Sequence, residues 1–250
     1  MGTRAIKQQV MALLQQDDLA EMETELALLQ EKELVNALFF GICQADERIR
    51  WHAISIMGGA VARLAEQDME EARIIFRRLL WSLNDESGGI GWGAPESMAE
   101  IMCRHEGLAD EYVHMLISYM RPDGEEEHQD GNFLEHEMLQ QGLIWAMGRL
   151  AQCRKGHLLA RGAAHDLPPY LESPDATVCG LAARAIGLLG STERIKTAPE
   201  TTERLRELAK NDLRTLRLYD QGVIRTVSVA ELAELAAHAV HVVQEDENIG

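Results

Sequence analysis

The chain has 250 residues, 46% of them hydrophobic and 26% charged, and its 24 basic against 41 acidic side chains give a formal net charge of −17. Such a composition supports an ample core and excludes wholesale disorder. An acidic excess of this size repels phosphate backbones and anionic bilayers, and no local basic patch offsets it, so neither nucleic acid nor a membrane surface is an expected partner.

The N-terminus, M-G-T-R-A-I-K-Q-Q, has no apolar signal core, and position 6 is Ile where a myristoylation signal needs Ser or Thr. The longest apolar run, Ala37–Cys43, falls far short of the roughly 20 residues of a membrane span. The expected location is therefore the cytoplasm. The four cysteines (Cys43, Cys103, Cys153, Cys179) are widely separated and form no C-x-x-C pair. They read as buried small hydrophobes in a reducing compartment.

Residues 1–31 read as one or two amphipathic helices that cap the body of the protein. From residue 32 onward the chain repeats. Four segments superpose without internal gaps: I-R-W-H-A-I-S-I-M-G from Ile49, I-G-W-G-A-P-E-S-M-A from Ile90, L-Q-Q-G-L-I-W-A-M-G from Leu139 and V-C-G-L-A-A-R-A-I-G from Val178. Each carries a large apolar anchor (Met57, Met98, Met147, Ile186), followed at once by a tiny residue (Gly58, Ala99, Gly148, Gly187). Apolar residues four and eight positions before each anchor complete one helical stripe. An amphipathic segment precedes each of these helices, the poorest being the one around Leu158–Leu171. Two antiparallel helices per unit of about 40 residues is the plan of an α-solenoid. The unit spacing is interrupted by an acidic insertion at 121–134.

These segments resemble the HEAT-repeat family, including the short HEAT-like repeats named after phycobilisome lyases, with an armadillo-type fold and a bacterial character. D-A-T-V-C-G-L-A-A-R-A-I-G-L-L-G from Asp175 and D-E-R-I-R-W-H-A-I-S-I-M-G from Asp46 carry the likeness. It implies an all-α protein: a right-handed α-solenoid of about four helical-pair repeats over 32–192. Residues 193–250 form a second cap. Within it, T-L-R-L-Y-D-Q-G-V-I-R-T-V-S-V alternates around D-Q-G and predicts a β-hairpin at about 213–227. Ser228 with Glu231 three residues on predicts a capping box for a final helix.

The stretch N-D-E-S-G-G-I-G-W-G-A-P-E keeps the repeat anchors Ile90, Ala94 and Met98 but interrupts their helix with four glycines and a proline. Interior glycine costs about 1 kcal/mol relative to alanine and interior proline about 3. The helix is therefore expected to start late, near Pro95, leaving a Gly-rich loop before it. That loop is either a tight turn needing positive φ or a recognition loop. Trp51 and Trp92 share one repeat position. The expected partner-binding set on the concave face is Trp51, His52, Asp85, Glu86, Gly89, Gly91, Trp92, Gly93 and Glu96, engaging another protein with a basic surface.

A second reading places a small ligand or a metal on the Gly-rich loop and the cluster Glu135, His136 and Glu137, since clustered carboxylates and imidazole suit divalent ions. The pairs His105–Glu106 and His136–Glu137 are similar in type to those of deoxyhypusine hydroxylase, a HEAT-repeat di-iron enzyme. Their register differs: His136 lies eleven residues before its anchor Met147 and His105 seven after Met98. On helices of about 100° per residue these do not share a face. No catalytic residue and no cofactor is assigned, and the first reading is of a non-catalytic scaffold.

Overall fold

Aspartate side chains set the starts of several helices. In a computed structural model, which describes residues 2–84, 91–122, 132–190 and 198–246, α1 (Thr3–Leu13) leads to α2 (Leu19–Leu26). The carboxylate of Asp18 accepts from the amides of Ala20 and Glu21, both at 2.9 Å. After α3 (Glu31–Gly41), Asp46 accepts from Ile49 N–H at 3.1 Å and opens α4 (Glu47–Gln67). Asp68 closes α4 and caps α5 (Met69–Leu83) through Glu70 N–H at 3.1 Å. Caps of this kind are worth about 1 kcal/mol each, because they satisfy amides that the first helical turn leaves unpaired.

The second helices of the repeats follow as expected: α4, α6 (Ala94–Arg104), α8 (Glu137–Cys153) and, after Asp175 caps Val178 N–H at 2.8 Å, α11 (Ala176–Gly190). Their anchors Met57, Met98 and Met147 are fully buried and Ile186 nearly so. The first helices are α3, α5 and α7 (Glu106–Ser118). The weak segment before α11 breaks into α9 (Lys155–Ala160), α10 (Ala163–Asp166) and a 3₁₀ turn over Pro168–Glu172. The chain ends with α12 (Pro199–Asn211), β1 (Thr215–Asp220), β2 (Val223–Ser228) and α13 (Val229–Asp246). Among the described residues no helix is long and apolar enough to cross a membrane.

The cysteine reading needs correction. Cys179 is buried and free, but Cys43 is exposed, and Cys103 and Cys153 are disulfide-bonded. Cys43 lies just past the end of α3, and Cys103 and Cys153 lie in the last turns of α6 and α8. At helix ends the apolar stripe no longer covers the side chain.

The hairpin matches its sequence signal. The two-residue turn Gln221–Gly222 has φ of 47° and 87°, the positive pair that a type I′ turn requires. Leu216, Leu218 and Tyr219 of β1 are buried. Ser228 Oγ accepts from Glu231 N–H at 3.0 Å, giving one half of the expected capping box, while the Glu231 carboxylate pairs with Arg225 at 3.7 Å.

Two compact units are distinguished. The first, Met1–Tyr112 with Tyr219–Ile224, centres on α4, which packs against α3, α5 and α6. Phe76 of α5 stacks on Tyr112 with centroids 4.2 Å apart, and Arg73 grips Glu111 through two hydrogen bonds of 2.9 and 2.5 Å. The second, Val113–Leu218 with Arg225–Gly250, centres on α11, which packs against α8 and α13, with α12 against α13.

After the anchors Met57 and Ile186, the tiny residue lies against the backbone of a neighbouring helix. A Cβ on Gly58 would stand 2.8 Å from Glu100 Cβ and 2.9 Å from the Glu100 carbonyl in α6. A Cβ on Gly187 would stand 2.8 Å from Ala236 Cα in α13, and one on Gly148 would meet Arg184 of α11 at 2.9 Å. Gly58→Ala therefore sets two effects against each other. Helix propensity favours alanine by about 1 kcal/mol. Pushing α6 away from α4 costs about 1–3 kcal/mol. The expected net result is destabilisation by about 1 kcal/mol, read from the urea-unfolding midpoint. A variant more stable than wild type would show that the two backbones are free to separate.

Candidate functional site

The opening of α6 is built from a turn rather than a helix. Ala94 N–H donates to Gly91 O at 3.1 Å, which places Trp92 and Gly93 at the turn corners. Gly93 has φ 71° and ψ 2°, the left-handed conformation that the third position of a type II turn demands. Any Cβ there would also press on Ile42 Cβ at 3.0 Å, and a Cβ on Gly91 would meet Ser82 O at 2.7 Å. Gly91 is thus required by close approach, and Gly93 by close approach and by φ. The helix begins at Ala94 with Pro95 in its first turn, late as the sequence indicates.

The expected partner-binding residues divide. Asp85, Glu86 and Gly89 lie outside the described residues. His52 is buried, at 2% exposure, and its Nδ1 lies 3.0 Å from Leu14 O, which makes Nδ1 the donor. It ties α4 to the end of α1. Trp51 and Trp92 are each half-buried.

Trp51 has a partner that the repeat pattern did not point to. Its indole stacks on the Tyr219 ring with centroids 4.6 Å apart and planes 6° from parallel. The Tyr219 hydroxyl meets Ser55 Oγ, one turn further along α4, at 2.6 Å. Ser55 and Tyr219 are both buried. The first turns of α4 therefore clamp one aromatic side chain from the hairpin tip by its face and by its hydroxyl. Ser55 could have been suspected as a hydroxyl on an otherwise apolar stripe. Tyr219 carried no signal, being 164 residues away.

Glu96 is the electrostatic anomaly of the site. Part of the residue stays exposed, yet its Oε2 is shut off from solvent and has no hydrogen-bond partner. Burial pushes the carboxyl up to about 7, opposed only in part by its own backbone N–H and by the charge of Arg50. Arg50 itself donates to Gln44 O at 3.3 Å.

The acidic cluster is arranged differently. His136 is the N-cap of α8, and its Nδ1 accepts from Met138 N–H at 3.3 Å. Glu137 opens the helix, where the positive end of the dipole favours an acid, and Glu135 is exposed. Among the described residues no three His, Cys, Asp or Glu side chains stand close enough to hold a metal ion.

No protein-family model matches the chain, and no curated protein matches it. Among solved structures it is similar to an engineered protein with a TM-score of 0.53 at 16% identity, covering 97% of this chain and 98% of that one. A second engineered protein gives 0.51 at 15%, covering 94% and 98%. A designed armadillo repeat protein in complex with the peptide (KR)4 gives 0.47 at 16%, covering 93% and 98%. At such identities the likeness concerns the fold alone.

Two predictions follow from the clamp and the carboxyl. Tyr219→Phe removes the partner of a buried hydroxyl and is expected to cost about 1–3 kcal/mol, against about 3–5 for Tyr219→Ala; a Tyr219→Phe variant as stable as wild type by chemical denaturation would remove the hydroxyl from the account. For Glu96, the folded carboxyl holds its proton to higher pH than the unfolded chain does. The folded state therefore binds more protons between about 4.5 and 7, and stability falls as pH rises through that window. Unfolding at pH 4.5 and 7.5 should show wild type losing up to about 3 kcal/mol relative to Glu96→Gln. Equal pH slopes for the two proteins would mean a solvated carboxyl.

Proposed function

We propose that this chain is a non-catalytic helical-repeat scaffold that binds another protein through the face bearing Trp51, Trp92 and Glu96. The observation that carries the reading is the clamp itself. The start of α4 holds a side chain delivered by an extended segment, by ring stacking to Trp51 and a hydrogen bond to Ser55. A surface that grips a strand of its own chain in this way is suited to gripping a strand of another. Two further facts support it. The turn Gly91–Ala94 presents Trp92 on a fixed backbone, and preorganised aromatics are efficient contact anchors. The net charge of −17 favours a partner with a basic surface. In this reading Asp85, Glu86 and Gly89, outside the described residues, belong to the same partner-binding set, and the segments before residue 32 and after residue 192 serve as caps.

The test is affinity capture with the purified full chain, followed by reconstitution with the recombinant captured protein. Trp92→Ala is expected to weaken the reconstituted complex by tenfold or more, which corresponds to about 1.4 kcal/mol or more at an anchor position. Metal analysis of the same preparation supplies the opposing outcome. Stoichiometric metal that disappears in His136→Ala would replace this reading with a metal-binding one.

A further inference from the structure

Most cations of the first unit hold a carboxylate, as Arg48 holds Asp17, Arg73 holds Glu111 and Arg104 holds Glu23. Arg4, Lys7 and Arg78 form no ion pair among the described residues. In a chain with 41 acidic side chains these three depart from the rule. Two of them lie on neighbouring phenylalanines of α3. Lys7 Nζ stands 3.2 Å from the Phe40 ring centroid, and Arg78 Cζ stands 3.7 Å from that of Phe39. A cation attracted to a ring face is held there instead of sweeping through solvent. Beside Lys7 a groove of about 460 Å³ runs between α1 and α3. Arg4 and Lys7 form its charged end, and Met11, Ala12 and Phe40 its apolar part. Gln8 and Gln15 add neutral amides, and among the described residues no acid lines it. Phe40 remains 43% exposed.

We propose that this groove docks an acidic amphipathic helix of a partner protein, whose carboxylates meet Arg4 and Lys7 and whose apolar side chains cover Met11, Ala12 and Phe40. The groove shares no residue with the face bearing Trp51 and Trp92, and it takes a segment of the opposite charge. Charge complementarity selects that occupant. Fields are screened beyond about 8 Å at physiological ionic strength, so a segment seated here feels these two cations more than the chain's distant acids. The start of α1 adds to the same sign. Gly2 supplies no side-chain cap and no acid stands in the first turn, so no side chain there offsets the positive end of the helix dipole. Two cations are too few to hold a phosphate backbone, and they match two carboxylates. Shape selects a helix. From Arg4 to Gln15 the groove follows α1 for about 16 Å, at about 1.5 Å per residue, which is longer than a small carboxylate needs. Its lining comes from α1, the turn after it and α3, with no strand edge. An extended segment would leave its backbone groups unpaired there, whereas a helix arrives with them already bonded.

The probe is an alanine-based helical peptide of sixteen residues, with two glutamates in its first two turns and three leucines beyond them on the same face. It is fluorescently labelled and titrated into the full chain by anisotropy. A second peptide carries lysine in place of both glutamates, and a third carries serine in place of the leucines. The glutamate peptide is expected to bind about tenfold or more tightly than the lysine peptide, because like charges facing each other across an interface are strongly unfavourable. The serine peptide should bind about tenfold more weakly than the glutamate peptide, having lost its apolar anchors. Arg4→Glu combined with Lys7→Glu, a change outside the core, should invert the preference to lysine. Phe40→Ala should weaken the glutamate peptide, and Trp92→Ala, on the other face, should leave it unchanged. Equal binding of the glutamate and lysine peptides overturns the proposal, as does tighter binding of the lysine peptide, since net charge would then govern. An acid preference that persists in the double variant places the peptide elsewhere and overturns it too. Equal binding of the serine peptide would reduce the contact to ion pairing, and no binding at millimolar peptide would leave no docking site; either result ends the proposal. Phosphatidylserine vesicles supply the last arm: vesicle binding lost in the double variant, without peptide binding, would assign the groove to an anionic membrane instead.

Discussion

Within each unit, the packing depends on how closely one second helix can approach the next. Helix axes normally stand about 8–10 Å apart, set by the side chains between them. Here that separation is reduced at two points by a residue with almost no side chain. Gly58 lets α4 reach the backbone of Glu100, and Gly187 lets α11 reach Ala236. The apolar anchors just before these two glycines, Met57 and Ile186, are buried beside the contacts. Because α13 meets α11 in the way α6 meets α4, the final helix acts as one more second helix, packed against the α12 that precedes it. The hairpin lies between the two in the chain.

The turn Gly91–Ala94 shows the same constraint under a different demand. Were the second repeat helical from residue 90, Trp92 would sit one helical turn from Glu96, as Trp51 does from Ser55. Instead the backbone turns left-handed at Gly93 and lies against Ser82 O at Gly91, two conditions that other residues satisfy poorly. The helix gives up its first turn, and the indole is carried on a corner whose backbone is fixed by packing. Such a departure from the repeat, beside a carboxyl oxygen sealed without a donor, is the kind of local conflict that folded chains keep at working surfaces.

The surface ion pairs contribute less than their number suggests. Arg77 with Glu70 and Arg48 with Asp17, at 2.5 Å each, are exposed, and such pairs are worth about 0–1 kcal/mol. The pairs that organise structure join different helices, as Arg73 of α5 does in holding Glu111 of α7. Arg104 binds Glu23 beside Gly59 in the same manner. Charge on this chain acts chiefly through its net sign, which selects among partners.

The sequence alone determined the repeat, its helical pairs, the late start of α6, the hairpin and the cap at Ser228. Each of these is written in spacings of a few residues: anchors at four and eight, a tiny residue next to the anchor, D-Q-G between alternating strands. Local backbone preference and the helical period decide such features before any distant contact forms. Only the tertiary structure decided that His52 is buried against Leu14 O, that Trp51 faces Tyr219, that Ser55 meets its hydroxyl and that Glu96 is sealed without a donor. Those outcomes require residues up to 164 positions apart to meet, and no short-range period encodes which side chain a long-range contact will deliver. The Gly-rich stretch belongs to both: its breakers predicted a turn, and the packing of Ile42 and Ser82 against it determined why only glycine serves there.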